Sequence, residues 1–307
     1  MRKVSAADGH NFLRAFILLA FACLIGYLVI SGDALLYVAP KLIVYLVAAG
    51  AGLLVISAFQ FYISIVSLKQ TIIVCQCGHD HDDHDEQHSH EPSNSPWKNV
   101  LIYSMFLLPL VLGSLLPNTA LAGSLASKRG MNLGGVAADQ AAASAEMVEL
   151  QSDGDPALRS LFRTTPINRD YAKLGMKLYQ QNVIEMKDEW FIEKLQALNT
   201  FADQFAGKEI KITGFVYREE GISGSQFIIG RLAMTHCIAD ISPYGIIVES
   251  PDAGNYSDDS WITITGTIDS TIFHGIKVIK INVETIEPAN VKNAPYVYPD
   301  WDFASKL

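Results

Sequence analysis

The chain has 307 residues, 50% of them hydrophobic, with a formal charge of −9 at neutral pH and a mean hydropathy of +0.21. Asp and Glu outnumber Lys and Arg 32 to 23, which argues against a nucleic-acid partner, because neutralising phosphates needs clustered bases. Of the four cysteines, Cys23 falls inside an apolar run and Cys237 stands alone in its region, so no disulfide framework is expected and any thiol chemistry is local.

The first apolar run, Ala15 to Gly32, carries no charge and follows Arg2, Lys3 and Arg14. A secretory signal peptide begins in the same way. Here, however, Asp33 and a second long apolar stretch follow instead of a small-residue cleavage site, so a retained membrane helix is expected. Leu42 to Leu68 is entirely uncharged and long enough at 1.5 Å per residue to cross a hydrocarbon core of about 30 Å. A third uncharged stretch, Asn99 to Ser127, is interrupted by Pro109, Gly113 and Pro117. It is expected to span, with a re-entrant segment as the competing reading.

Lys and Arg flank these runs at Arg2, Lys3 and Arg14, and again at Lys69 and Lys98, whereas the first short connection has only Lys41. The positive-inside rule then puts the N-terminus and the second connection in the cytoplasm. Three spans would carry the rest outside, although Lys128 and Arg129 count mildly against it. Residues 1–127 are thus read as a transmembrane region of two to three helices in contact with lipid, with a cytoplasmic connection at 75–98. Residues 128–167, rich in Ala, Gly and Ser, read as a linker with a short helix near Ala138 to Leu150.

Residues 168–307 read as a mainly β, extracytoplasmic domain. Asn182 to Met186 is a candidate strand, and Asp188 is placed to cap a helix whose Phe191, Leu195, Leu198 and Phe201 recur at helical spacing. Five strand-like runs follow, Glu209 to Tyr217, Gln226 to Met234, Gly245 to Glu249, Trp261 to Ile268 and Lys277 to Ile286. With Gly214 and Gly266 as bend points, they suggest an OB-like five-stranded barrel with one or two flanking helices, a sandwich being the alternative.

Two clusters carry metal-ligand chemistry. Cys75, Cys77, His79, His81, His84, His88 and His90 lie in the second connection, interleaved with carboxylates. Imidazole and thiolate suit zinc or another divalent transition metal, and such a tract favours capture over catalysis. A plain solvated acidic loop is the bland alternative. In Arg231 to Asp240, reading RLAMTHCIAD, His236, Cys237 and Asp240 lie within five residues. They could hold a metal if the chain turns near Thr235, although neighbours on an extended strand point to opposite faces. A buried cysteine beside a strand-end histidine explains them equally well. Arg218, Glu219, Glu220 and Arg231 read as an ordinary solvated strand-end cluster. No nucleophile with its base, HExxH helix, P-loop or dinucleotide fingerprint is present, so no catalytic residue is assigned.

Taken together, GKEIKITGFVYREEG, RLAMTHCIAD, GIIVES, WITITGTID and APYVYP resemble the YcgQ-like family of bacterial membrane proteins, described as candidate permease subunits. The resemblance implies a multi-pass plasma-membrane protein acting beside a separate multi-span permease that holds the pore. In that family's pattern the positions matching His236 and Cys237 are both cysteines. A His–Cys pair keeps the capacity to ligate a metal but forms no vicinal disulfide. The expected function is an accessory permease subunit handling a metal ion or small solute. A protein docking an envelope partner and a thiol-dependent enzyme using Cys237 are the alternatives.

Overall fold

The structure is a computed structural model in which residues 6–69, 96–115, 122–134, 156–290 and 295–307 are described. The chain divides into two compact units. One comprises Met1–Leu35 and Pro40–Asn118, the other Leu36–Ala39 and Thr119–Leu307.

The first unit contains three long helices, α1 (Ala6–Ser31), α2 (Ile43–Lys69) and α3 (Pro96–Leu115). Within them Gly9–Ser31, Pro40–Val66 and Trp97–Leu115 are long and apolar enough to cross a membrane. Side chains such as Val55, Phe59, Met105 and Leu108 are exposed, as they would be on a surface solvated by lipid. In α1 the small residues Ala15 and Ala22 are buried, and Ser57 of α2 donates to the Ala15 carbonyl at 2.9 Å. Small and hydroxylated residues of this kind let apolar helices approach closely. Pro109 is carried inside α3, described over Pro96–Leu115, and Ala122–Arg129 is helical as α4.

The second unit is built on a seven-stranded sheet: β1 (Val183–Met186), β2 (Glu209–Tyr217), β3 (Gln226–Ala233), β4 (Ser242–Glu249), β5 (Trp261–Phe273), β6 (Ile276–Pro288) and β7 (Tyr296–Val297). The order is β1-β2-β5-β6-β4-β3-β7, and a further pairing of β2 with β3 joins five strands into a ring. Neighbours within the ring are antiparallel except β4 and β6, which run parallel.

The result is a ring of five strands and not the closed barrel expected. Strands β5 and β6 pair from Ile262 to Phe273, but β2 meets β3 only at Phe215 to Tyr217, and β4 meets β6 only at Ile247 to Glu249. The crossing of β2 onto β3 depends on glycine. A Cβ on Gly214 would lie 2.5 Å from the Gly230 carbonyl oxygen, and one on Gly230 would lie 2.7 Å from the Phe215 ring. Gly266 sits where the β5–β6 register shifts, beside Thr265, so both expected bend points are places of irregular pairing or close approach.

Alternation along β5 puts Ile262, Ile264 and Ile268 inside, as a half-buried strand requires. They join Phe162, Phe227 and helix residues in one core. The helices are α5 (Pro156–Leu161), α6 (Arg169–Tyr179), α7 (Phe191–Thr200) and α8 (Ala202–Phe205). In α7, Phe191, Leu195 and Leu198 are fully buried, matching the helical spacing in the sequence. Its N-cap is Trp190, in a left-handed conformation at φ 54°, and not Asp188 as expected. Of the stretch read as a linker, Asn132 runs along β4: its amide donates to the Pro243 carbonyl at 2.9 Å and its carbonyl accepts from Gly245 at 3.0 Å. The short helix expected at Ala138 to Leu150 lies outside the described residues.

Candidate ligand site in the terminal domain

Residues Thr235 to Asp240 leave β3, turn, and close through a short 3₁₀ segment, Ile238–Asp240. The Asp240 carboxylate organises this turn. It accepts backbone N–H groups from Thr235 at 3.0 Å, His236 at 2.7 Å and Cys237 at 3.2 Å, and His236 Nδ1 lies 3.2 Å from the same group. Burial alone would push the Asp240 carboxyl up, but these hydrogen bonds outweigh it and hold the group below its usual value.

The backbone of the turn has a second task. The His236 carbonyl accepts from the Ala39 amide at 2.8 Å, and Ile238 donates to the Tyr37 carbonyl at 2.8 Å, forming an antiparallel bridge between Val38 and Cys237. The structure therefore brings His236 and Asp240 together through the turn, with Cys237 half-buried as a free thiol. Among the described residues no group of three or more His, Cys, Asp or Glu side chains is placed to hold a metal ion. Cys75, Cys77, His79, His81, His84, His88 and His90 lie outside the described residues.

Asp240 also forms part of the wall of a cavity of about 470 Å³ between the sheet and helices α6 and α7, with the C-terminal segment on its rim. Asp170, Glu193 and Asp300 complete an acidic lining, and Tyr171, Tyr244 and Trp301 supply rings; among the described residues no Lys, Arg or His lines it. Asp170 and Asp300 each have a lysine partner, Lys173 at 3.5 Å and Lys306 at 2.5 Å.

Glu193 is different. It lies in the first turn of α7 and is 5% exposed. Its Oε1 accepts the Asp300 amide at 2.8 Å, while the buried Oε2 has no hydrogen-bond partner among the described residues. Burial raises its carboxyl above the ordinary range, against the lowering effect of the Asp300 amide and of its own backbone amide. The neighbouring Tyr171 and Tyr244 hydroxyls are also raised, chiefly by burial. Sequence reasoning passed over Glu193 because a single acid on an amphipathic helix reads as solvated. The one available signal was its place between the core residues Phe191 and Leu195.

Arg231 departs from its expected role as a solvated strand-end residue. It is 5% exposed, pairs with Asp188 at 2.6 Å, and lies over the Phe191 and Trp261 rings at 5.8 and 5.6 Å. This explains why Asp188 does not cap α7. Arg218 is likewise committed, donating to Asp258 and to the Ala253 and Tyr256 carbonyls. A second cavity, of about 490 Å³, borders Arg231 with Lys187, Lys211, Glu185, Asp188 and Glu189. Its charges balance, in contrast to the acidic lining around Glu193.

Comparison with known proteins agrees with this two-part organisation. UPF0703 protein YcgQ of Bacillus subtilis is 27% identical over 208 residues, 67% of this chain and 71% of that protein. A Streptococcus mutans protein carrying the name "Putative two-component membrane permease complex subunit" is 24% identical over 203 residues, 62% of this chain and 70% of that protein. Among solved structures, a replication protein A heterotrimer bound to single-stranded DNA matches 33% of this chain and 64% of its own, at 12% identity and a TM-score of 0.17, too low to support any inference. The DUF1980 N-terminal domain matches residues 13–132 and the DUF1980 C-terminal domain residues 161–299. With both domains present in chain order, and with YcgQ among its relatives, this chain belongs to the DUF1980 family.

Proposed function

We propose that this chain is an accessory subunit of a plasma-membrane permease, handling a metal ion or small solute beside a separate multi-span subunit that forms the pore. The observation that carries the reading is the joining of three membrane-length helices to a folded domain with a ligand-sized acidic cavity. Three helices are few for a transport path, so a partner supplies the rest. The name of the Streptococcus mutans relative points the same way.

In this reading the N-terminus and the His-rich connection are cytoplasmic and the terminal domain is extracytoplasmic. The distribution of Lys and Arg supports that orientation. The membership of Leu36–Ala39, the connection between α1 and α2, in the terminal compact unit supports an odd number of spans, which puts that connection and the domain on one side. The tract from Cys75 to His90 would then collect zinc or another divalent transition metal inside the cell, leaving the outer domain to bind ligand or partner.

The test is purification of the intact complex from native membranes, followed by identification of its proteins and metal analysis. A multi-span protein should co-purify, and deleting residues 75–91 should lower the bound metal while leaving assembly intact. A chain that purifies without a multi-span partner overturns the accessory role, and unchanged metal content after the deletion overturns metal collection.

A further inference from the structure

We propose that the acidic cavity beside α7 binds a small organic cation bearing an ammonium or guanidinium group, with Glu193 as its counter-ion. This deepens the solute-handling reading above by naming the chemistry of the ligand. Three independent features of the cavity converge on it.

The first is charge: Asp170, Glu193, Asp240 and Asp300 contribute to the wall, and among the described residues no basic side chain lines it, Lys173 and Lys306 pairing with Asp170 and Asp300 from outside the lining. The second is Glu193 itself. A buried carboxylate oxygen without a hydrogen bond is costly unless a donor reaches it, and Oε2 is such an oxygen. The side chain is pre-positioned, since Oε1 is held by the Asp300 amide and the helix is entered through the left-handed backbone of Trp190. A non-glycine residue in that region stores strain, which is commonly found beside functional sites.

The third is the pairing of acid with aromatic rings. Tyr171, Tyr244 and Trp301 line the same space, and ring faces attract ammonium and guanidinium groups but contribute nothing to a hard metal ion. A metal would need several donors converging on one point, and no such group of three is found among the described residues. The volume of about 470 Å³ suits a small molecule.

The test is calorimetric titration of the full-length chain in detergent with n-butylammonium chloride, with sodium acetate as the comparator. Saturable binding of butylammonium is expected, weakened at least about ten-fold in Glu193→Gln, because a hydrogen bond to a charged group is lost. The amide retains the acceptor for Asp300. Should that variant fail to fold, Trp301→Leu serves instead: Trp301 is 73% exposed, and losing its ring should weaken binding about three-fold. No saturable butylammonium binding, equal binding by wild type and the variant that folds, or stronger binding of acetate each overturns the proposal. Co-purification with a multi-span subunit is read separately, so failure of the cation site and failure of the permease role are distinguishable.

Discussion

The helical unit and the terminal domain contain apolar side chains in abundance but use them in opposite ways. Along α2 and α3, residues such as Phe59 and Met105 face outward, whereas in the terminal domain Phe215, Phe227 and Ile264 are wholly enclosed. The first relies on an apolar solvent for its stability and the second makes its own interior. That contrast explains why a chain of positive mean hydropathy still carries most of its charged, hydrogen-bonded detail in one half.

Substitutions can break or sharpen this contrast. The largest effect is expected from Phe215→Ala, which empties a fully buried site and should cost about 3–5 kcal/mol in chemical denaturation of the detergent-solubilised chain. Phe59→Ala, on an exposed helix surface, should be nearly silent in the same assay; equal losses would remove the contrast altogether. Gly214→Ala should cost about 1–3 kcal/mol, since its Cβ would meet the Gly230 carbonyl and backbone there has nowhere to move.

Asp240→Ala should cost about 1–2 kcal/mol, as loss of a capping carboxylate does. Because the native Asp240 carboxyl is held below its ordinary value, its contribution is present above the unfolded-state value and is lost as pH falls through the native one. Wild type should therefore lose stability relative to Asp240→Ala as the pH drops below about 4, measured by thermal melting across that range. Glu193 has the opposite sign. Its carboxyl is raised, so the native state binds the proton more tightly than the unfolded chain and stability declines as pH rises between the two values. Glu193→Gln should melt higher than wild type at neutral pH, and the difference should vanish in acid. The smallest effect belongs to His236→Ala, an exposed side chain, expected to stay within about 0.5 kcal/mol.

Much of the architecture was legible in the chain itself. The strand β2 begins and ends where its β-branched run does, at Glu209 and Tyr217, because a half-buried strand leaves its period-two pattern in the sequence. The helices of the first unit were equally visible, since long uncharged runs have few other uses. Less visible was β7, only two residues long and set by pairing with Leu232 and Ala233, which no local pattern announces. The site was read in part. Asp240 stood out because ligand-type residues cluster around it, but its partners proved to be backbone amides, whose positions depend on the turn. Glu193, Tyr171 and Tyr244 come from separate helices and a strand, and only tertiary packing brings them to one cavity. Arg231 looked like a surface residue for the same reason, its covering of Phe191 and Trp261 being supplied by distant elements.

The four residues Leu36 to Ala39 complete the terminal domain from far away in the chain. Leu36 and Ala39 pack with Phe215, Leu232 and Met234, and the Leu36 carbonyl accepts from the Tyr296 hydroxyl at 3.3 Å. An excised fragment starting after the third helix would consequently lack a native piece of its own hydrophobic packing and leave the backbone around Cys237 with unmet hydrogen bonds. Recombinant work on the terminal domain would do well to graft that tetrapeptide back, because this domain is discontinuous and its boundaries are not a single cut.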